Sequence, residues 1–271
     1  MAISEVLRPQ SQGVPQGSVI GPFLFSLAVS SFCINPSCGH VVKYADDTTI
    51  CFPIYANKPN HHIHQEHEKL LQWSRKMDLE INEGKCKSLI IQKSQKCENV
   101  TLKGVKSVDN LNILGVTFNT RSSWSSHVSY IIRRTSSRFY ALRTLRPSLS
   151  DKELVTAYNA LLRTILEYCA PLFLGLSVTD SYRLELVQKR FHRLLCGKHC
   201  KNNCLEKLED RRRKASFKLL KKMRSKDHVL HDILPPLTNA GRFVLPSRRT
   251  TRRSRAFVLM VCELFNATFT R

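Results

Sequence analysis

The sequence predicts an α+β fold over its first 120 residues and an all-helical region after them. Three observations carry this reading. β-branched and aromatic residues crowd around a pair of aspartates between residues 40 and 54, the composition of two short strands. Beyond residue 120 the apolar positions recur at the 3.6-residue period of helices. The charge divides in the same place: residues 1–120 carry 12 basic and 10 acidic side chains, a net +2, and residues 121–271 carry 31 and 11, a net +20.

The elements follow in order. The first dozen residues are polar and unpatterned. Phe23, Leu24, Leu27 and Ala28 then fall at helical spacing behind Gly21-Pro22, with the proline at the first helical position. The apolar run Val19 to Ile34 is broken by Gly21-Pro22 and too short for a bilayer, so it predicts a buried core helix. Asn35 to Gly39 make a turn, and His40 to Ile54 a β-hairpin with Asp46-Asp47 at its tip. Ile63, Leu70, Leu71 and Met77 mark an amphipathic helix ending near Glu80; Lys87 to Gln92 and Leu111 to Phe118, with Gly115 inside it, predict strands. Val128, Ile131, Ile132, Phe139 and Leu142 then share a helical face closed by Pro147. Ser150-x-x-Glu153 is a capping box for a helix whose face runs Leu154, Tyr158, Leu161, Leu162, Ile165 and stops before Pro171. Two further helices are expected around residues 181–196 and 205–225, and the stretch from Pro235 on is Pro- and Arg-rich with little pattern.

A chain of 271 residues, 42% of them hydrophobic, can bury a real core, so disorder is not the default. Its net charge of +22 calls for an anionic partner. Ten cysteines are scattered with no C-x-x-C pair and no secretory signal precedes them, which points to reduced thiols in an intracellular protein, in nucleus or cytoplasm, with no membrane association.

The aspartate pair carries the chemistry. Adjacent carboxylates repel and local stability does not require them, although aspartate is also ordinary turn chemistry. Nucleotidyl transfer uses two divalent ions to activate a 3′-hydroxyl and neutralise pyrophosphate, and a sharp turn presents carboxylates to such ions. Upstream, Gly13-Val14-Pro15-Gln16-Gly17-Ser18-Val19-Ile20-Gly21-Pro22 is a glycine-punctuated loop leading into a helix, which lets backbone N–H groups approach phosphate.

Loop and Tyr44-Ala45-Asp46-Asp47 hairpin together resemble the palm of reverse transcriptases, RNA-directed DNA polymerases, of the non-LTR (LINE-type, jockey-like) retrotransposons. The resemblance implies a partial right-hand polymerase: an antiparallel palm sheet with helices over residues 1–120, an all-helical basic thumb and connector over 121–225, and a basic C-terminal extension over 226–271. It sets Pro15, Gln16, Gly17, Ser18 and Tyr44 at the nucleotide and template, and makes Asp46 a metal ligand and Asp47 an ancillary carboxylate. Ile81 to Lys87 resembles the next palm motif, in which Lys85 assists the pyrophosphate leaving group or is a solvated turn lysine. Leu114-Gly115-Val116-Thr117-Phe118 resembles the primer-grip hairpin, unless Gly115 simply marks a bulge. Mg²⁺, with Mn²⁺ as alternative, is the implied cofactor; RNA template, DNA primer and deoxynucleoside triphosphates are the implied partners.

The resemblance also implies an aspartate from an earlier palm strand, and Glu5 is the only acidic residue before Asp46. Fingers and first palm strand are therefore expected to be missing, and these residues to have little polymerase activity alone; a non-catalytic RNA- or DNA-binding remnant is the rival reading. In the basic half, Arg133, Arg134 and Arg138, then Lys189, Arg190 and Arg193, recur at spacings suited to phosphate contact. Arg211-Arg212-Arg213-Lys214 is the densest cluster, a localisation signal or a solvated helix face. His192, Cys196, Cys200 and Cys204 fall four apart, but Gly197 and Asn202-Asn203 interrupt any helix and the spacing is not a zinc finger's. His61, His62, His64 and His67 are expected on an exposed, unmetallated face.

Overall fold

The computed structural model describes residues 17–55, 59–91, 100–196, 205–247 and 256–268. The chain divides into two compact units, Met1–Asp109 and Asn110–Arg271.

In the first unit, α1 (Gly21–Ser30) starts as its sequence dictates, with Pro22 in the first turn and the Gly21 N–H donating to Ser18 Oγ at 3.0 Å. Lys43, on strand β1 (His40–Tyr44), closes its other end. The ammonium donates to the Val29 carbonyl at 2.7 Å and to the Phe32 carbonyl, and lies 5.5 Å from the centre of the Phe32 ring. A cation on the last carbonyls of a helix satisfies orphan acceptors and complements the dipole. β1 pairs antiparallel with β2 (Asp47–Cys51), in a register that sets Tyr44 opposite Asp47 and Val42 opposite Thr49. Helix α2 (His61–Lys76) brings Trp73 to Phe32, ring centres 5.4 Å apart, and its indole N–H donates to Ser31 Oγ. Its exit is set by Asp78, at φ 54°, so it ends short of Glu80.

Three expectations for this unit are corrected. The run Val19 to Ile34 does not make a buried core helix: Gly21 and Val29 are the buried residues of α1, while Phe23 is 67% and Leu27 60% exposed. Lys87 to Gln92 shrinks to β3 (Lys87–Ser88), paired parallel with β4 (Lys106–Ser107), and Gln92 lies outside the described residues. The single antiparallel sheet is replaced, among the described residues, by three separate two-stranded ladders.

The third ladder belongs to the second unit. Leu111 to Phe118 is not one strand but the hairpin β5 (Asn110–Ile113) and β6 (Val116–Asn119), with Ile113 opposite Val116. Leu114 (φ 48°) and Gly115 (φ 82°) form its two-residue turn. Two successive positive φ values match the right-handed twist of a hairpin, and glycine takes the second at no steric cost. Apolar periodicity alone reads such a short loop as continuous strand, whereas the resemblance of Leu114 to Phe118 to a hairpin agrees with the turn.

The helices match their sequence signals closely. α3 (Ser125–Leu145) runs into a 3-10 turn at Arg146–Ser148 that contains Pro147. The capping box opening α4 (Asp151–Tyr158) is complete: Ser150 Oγ accepts from the Glu153 N–H and Glu153 Oε2 accepts from the Ser150 N–H. The helix then widens into a π-turn, Asn159–Arg163, before the short α5 (Thr164–Leu166). α6 (Val178–Cys196) and α7 (Leu208–Met223) complete the bundle. Its core takes Val128, Ile131 and Leu142 from α3, Leu154, Tyr158, Leu162 and Ile165 from the next helices, and Leu184, Val187 and Phe191 from α6. Tyr158 stacks on Phe191 with ring centres 4.0 Å apart, and its hydroxyl donates to Gln188 Oε1, whose amide donates to the Glu206 carbonyl. The weakly patterned end of the chain holds a helix as well. α8 (Phe257–Thr268) buries Val261 and Cys262 against Leu220 and Phe243 in a second core, which holds the Cys262 thiol up at about 11 by desolvation.

Two stability effects follow from this packing. Leu154 is fully buried, so Leu154→Ala should cost about 2–5 kcal/mol in urea unfolding of the chain. Ser150→Ala should cost about 1 kcal/mol by loss of the cap, with no change in helix content at the native baseline.

Candidate nucleic-acid interface

The β1–β2 turn presents the acidic pair. Ala45 takes positive φ (51°), and Tyr44, Asp46 and Asp47 are all exposed at the tip. Two free carboxylates on one turn are hard oxygen donors of the kind Mg²⁺ takes. No group of three His, Cys, Asp or Glu residues suited to a metal ion occurs among the described residues. Lys85 is exposed on a turn whose backbone is tied to Asn82; among the described residues no hydrogen bond or ion pair joins it to Asp46 or Asp47. Gly17 stands at φ 85° with open space around it, and Ser18 caps α1. Pro15 and Gln16 lie outside the described residues.

In the second unit the 110–119 hairpin is fastened to the helices by residues that sequence reasoning did not single out. Tyr168 donates its hydroxyl to the Leu114 carbonyl at 2.8 Å, the Gly115 N–H donates to Asn112 Oδ1 at 2.9 Å, and the Thr117 N–H donates to His127 Nδ1 at 3.2 Å. Asn112, three residues before a glycine turn, carries a sequence signal for this role. Tyr168 and His127 carry none, because their partners are set by tertiary packing. His127 is 2% exposed and lies flat on Phe173, ring centres 4.9 Å apart.

The six predicted phosphate-contacting cations separate. Arg134 and Arg138, one helical turn apart on α3, line a cleft beside Gly115. Arg133 lies over the Tyr130 ring and Lys189 over Tyr182, at 5.9 and 5.3 Å from the ring centres. Arg190 lines a second groove with Arg143 and Tyr140. Arg193 lies in the last turn of α6.

The densest cationic cluster is a correction. Arg211 pairs with Glu167 and Glu206, Arg213 with Glu209 and Lys214 with Glu206, while Arg212 is 3% exposed and donates to Ser181 Oγ. Arg211 and Arg212 are therefore drawn into the packing by their partners, while Arg213 and Lys214 remain on an exposed face with their glutamate partners. Burial in turn raises the Glu167 carboxyl, with Arg163 opposing. Of the histidines on α2, His62 meets the Pro53 carbonyl at 3.1 Å, and burial holds the half-buried His67 below its usual range, with Glu68 opposing. Cys200 and Cys204 lie outside the described residues; His192 and Cys196 sit in the last two turns of α6. No described helix is long and apolar enough to cross a membrane.

The family model for reverse transcriptase (RNA-dependent DNA polymerase) matches residues 2–118. Three curated relatives from Drosophila melanogaster are similar over a longer stretch. The RNA-directed DNA polymerase from mobile element jockey is 25% identical over 205 residues, covering 70% of this chain. The probable RNA-directed DNA polymerase from transposon BS is 27% identical over 210 residues, 69% of the chain, and that from transposon X-element is 26% identical over 202 residues, 68% of the chain. In each case the match covers 22% of the relative, so the chain spans about a fifth of their length. No solved structure matches the chain.

The fastening of the hairpin is titratable. Burial holds the His127 imidazole below its usual pKa, so between that value and about 6.5 the unfolded chain binds a proton the folded chain refuses. Stability should therefore fall as pH drops below about 6.5, by at most about 1.4 kcal/mol per pH unit from this group. Urea midpoints across that range should show a shallower slope in His127→Phe, at the expense of lower stability at neutral pH.

Proposed function

We propose, from the match of residues 2–118 to the reverse transcriptase family model, that this chain is part of an RNA-directed DNA polymerase of a non-LTR retrotransposon and that its β1–β2 turn supplies carboxylates to a two-Mg²⁺ nucleotidyl-transfer site. The observation that carries the reading is the exposed Asp46-Asp47 pair on a tight antiparallel turn inside the matched segment. In this reading residues 1–120 act as palm, 121–225 as thumb and connector, and 226–271 as a basic extension, although the 110–119 hairpin folds with the helices. Asp46 ligates metal, Asp47 assists, and Tyr44, Gly17 and Ser18 with Pro15 and Gln16 bound the nucleotide and template. Leu114 and Gly115 steady the primer end. Lys85, exposed and without an acidic partner among the described residues, protonates the leaving pyrophosphate. The bound metal, with Mn²⁺ able to replace Mg²⁺, would supply the charge that lowers the barrier.

Two carboxylates do not hold two metals, so a further oxygen ligand must join them for catalysis. These 271 residues alone should accordingly give no Asp46-dependent incorporation of deoxynucleotides on a primed RNA template. Fused behind the corresponding upstream segment of the jockey polymerase, they should extend the primer. Asp46→Ala should then abolish extension, and Lys85→Ala should slow it by about 10²-fold, the scale of a lost general acid. Robust Asp46-dependent synthesis by the unfused chain would overturn the incomplete-site reading, and an inactive fusion that still binds primed template would favour a non-catalytic nucleic-acid-binding remnant. The cations of α3 give that second reading its support.

A further inference from the structure

The second unit holds a cleft of about 350 Å³ beside the turn of the 110–119 hairpin, lined by Gly115, His127, Tyr130, Arg134, Arg138 and Tyr168. Four features give it a definite chemistry. Arg134 has no acidic partner among the described residues, and Arg138 spends one N–H on the Leu161 carbonyl at 3.1 Å, leaving the rest of its fork free. An arginine pair one turn apart suits the oxygens of a single phosphate. His127 accepts the Thr117 N–H at Nδ1, so its neutral ring carries the proton on Nε2, and that buried donor meets no acceptor among the described residues. The Tyr168 ring is pinned by its hydroxyl to Leu114, which makes it a fixed aromatic wall facing the cations.

Size separates the candidate ligands. A cleft of about 350 Å³ lies at the small end of ligand sites and takes one nucleotide rather than the rounded backbone of a duplex. Phosphate contact alone needs only surface cations, whereas the Tyr168 and Tyr130 rings beside them add a stacking surface. Such a surface suits a base that has left its stack, since every base offers a π-face. The neighbouring groove of about 180 Å³, lined by Arg143, Arg190 and Tyr140, has cations and an aromatic ring but no unpaired buried donor.

We infer that the cleft beside Gly115 seats one unpaired nucleotide of a single-stranded nucleic acid, its phosphate on Arg134 and Arg138 and its base against the Tyr168 and Tyr130 rings. The site rests on the nucleic-acid-binding part of the proposed function and not on metal chemistry.

Fluorescence anisotropy of the 271-residue chain with a labelled single-stranded oligonucleotide, and with the blunt duplex of the same length, tests it without any nucleotide incorporation. Arg134→Ala/Arg138→Ala and Tyr168→Ala should each weaken single-strand binding by about tenfold or more, the scale of a lost stacked base or ionic contact, and change duplex binding by less than about threefold. Arg134→Lys/Arg138→Lys keeps the charge without the planar fork and should recover only part of the loss. Tyr168→Phe keeps the ring without its tie to Leu114 and should recover most of the binding that Tyr168→Ala loses. Equal losses on single strand and duplex would reduce the cleft to general electrostatics. No loss in either Arg pair variant, or an equal single-strand loss in Arg143→Ala/Arg190→Ala, would overturn the site. Because the readout is binding, an inactive polymerase fusion would leave this result standing, and an active one would not rescue a failed cleft.

Discussion

Side-chain hydrogen bonds fix the 110–119 hairpin, and two of them tie it to distant helical segments: Tyr168 donates to the Leu114 carbonyl and His127 accepts from the Thr117 N–H. A two-stranded hairpin is marginal by itself in water and needs a partner surface. Here the partner is the face of α3 and the segment after α5, reached through residues 10 and 54 positions away in sequence. The buried His127 ring gives that contact a definite orientation. Its cost is an unpaired donor at Nε2, a price of about 1–3 kcal/mol unless an acceptor arrives. The donor lies near Arg134 and near Arg138, which is itself tied to the Leu161 carbonyl.

Charge in this chain divides into two populations. Arg211, Arg213 and Lys214 are bound to Glu167, Glu206 and Glu209, and Arg183 to a buried Asp180 that also accepts from Ser125 and Ser177. Exposed pairs of this kind contribute little each, but the pairs around Glu167 and Asp180 are partly or fully buried and would leave a costly uncompensated charge if broken. The Arg211–Glu167 pair joins α7 to the end of α5, and the Ser125–Asp180 hydrogen bond joins α3 to α6. Arg134, Arg143 and Arg190 have no such acidic partner among the described residues. The sequence cannot separate the populations, because an arginine beside three other cations looks more available for phosphate than an isolated one, and the reverse holds here.

What was legible in the sequence follows from how local each signal is. The capping box at Ser150, the proline ends of α1 and α3 and the 3.6-residue faces of α3 to α6 depend on neighbours within a turn or two, and they stand where expected. The aspartate hairpin is similarly local, since β-branched residues flank a turn-forming pair. The apolar pattern of Leu111 to Phe118 was misread as one strand because Leu114 occupies a positive-φ position that leucine seldom takes, whereas the hairpin resemblance of Leu114 to Phe118 agrees with the structure. α1 was misread for the opposite reason. Its composition is that of a buried helix, yet composition says only that a face wants cover, and among the described residues Phe23, Leu24 and Leu27 do not have it. The acidic pair was found from its motif, whereas Tyr168 and His127 were invisible until tertiary structure brought them to Gly115.

The two halves of the proposed function therefore have different physical standing. Asp46 and Asp47 lie on a solvent-exposed turn, where two like charges are screened and cost the fold little. Such a site can remain in a chain whether or not its remaining ligands are present. The cleft beside Gly115 is different, since each of its walls also holds the fold: Tyr168 anchors the hairpin, His127 accepts from the strand, and Arg138 bonds a carbonyl of the π-turn. A π-turn shifts the backbone pairing of a helix and can leave a carbonyl in need of a donor, and Arg138 meets that need at Leu161. Loss of catalysis would thus leave the cleft intact, because its residues are retained by packing. The geometry of the cleft is therefore built into the helical unit, whereas the proposed nucleotidyl transfer depends on completion of a site by further ligands.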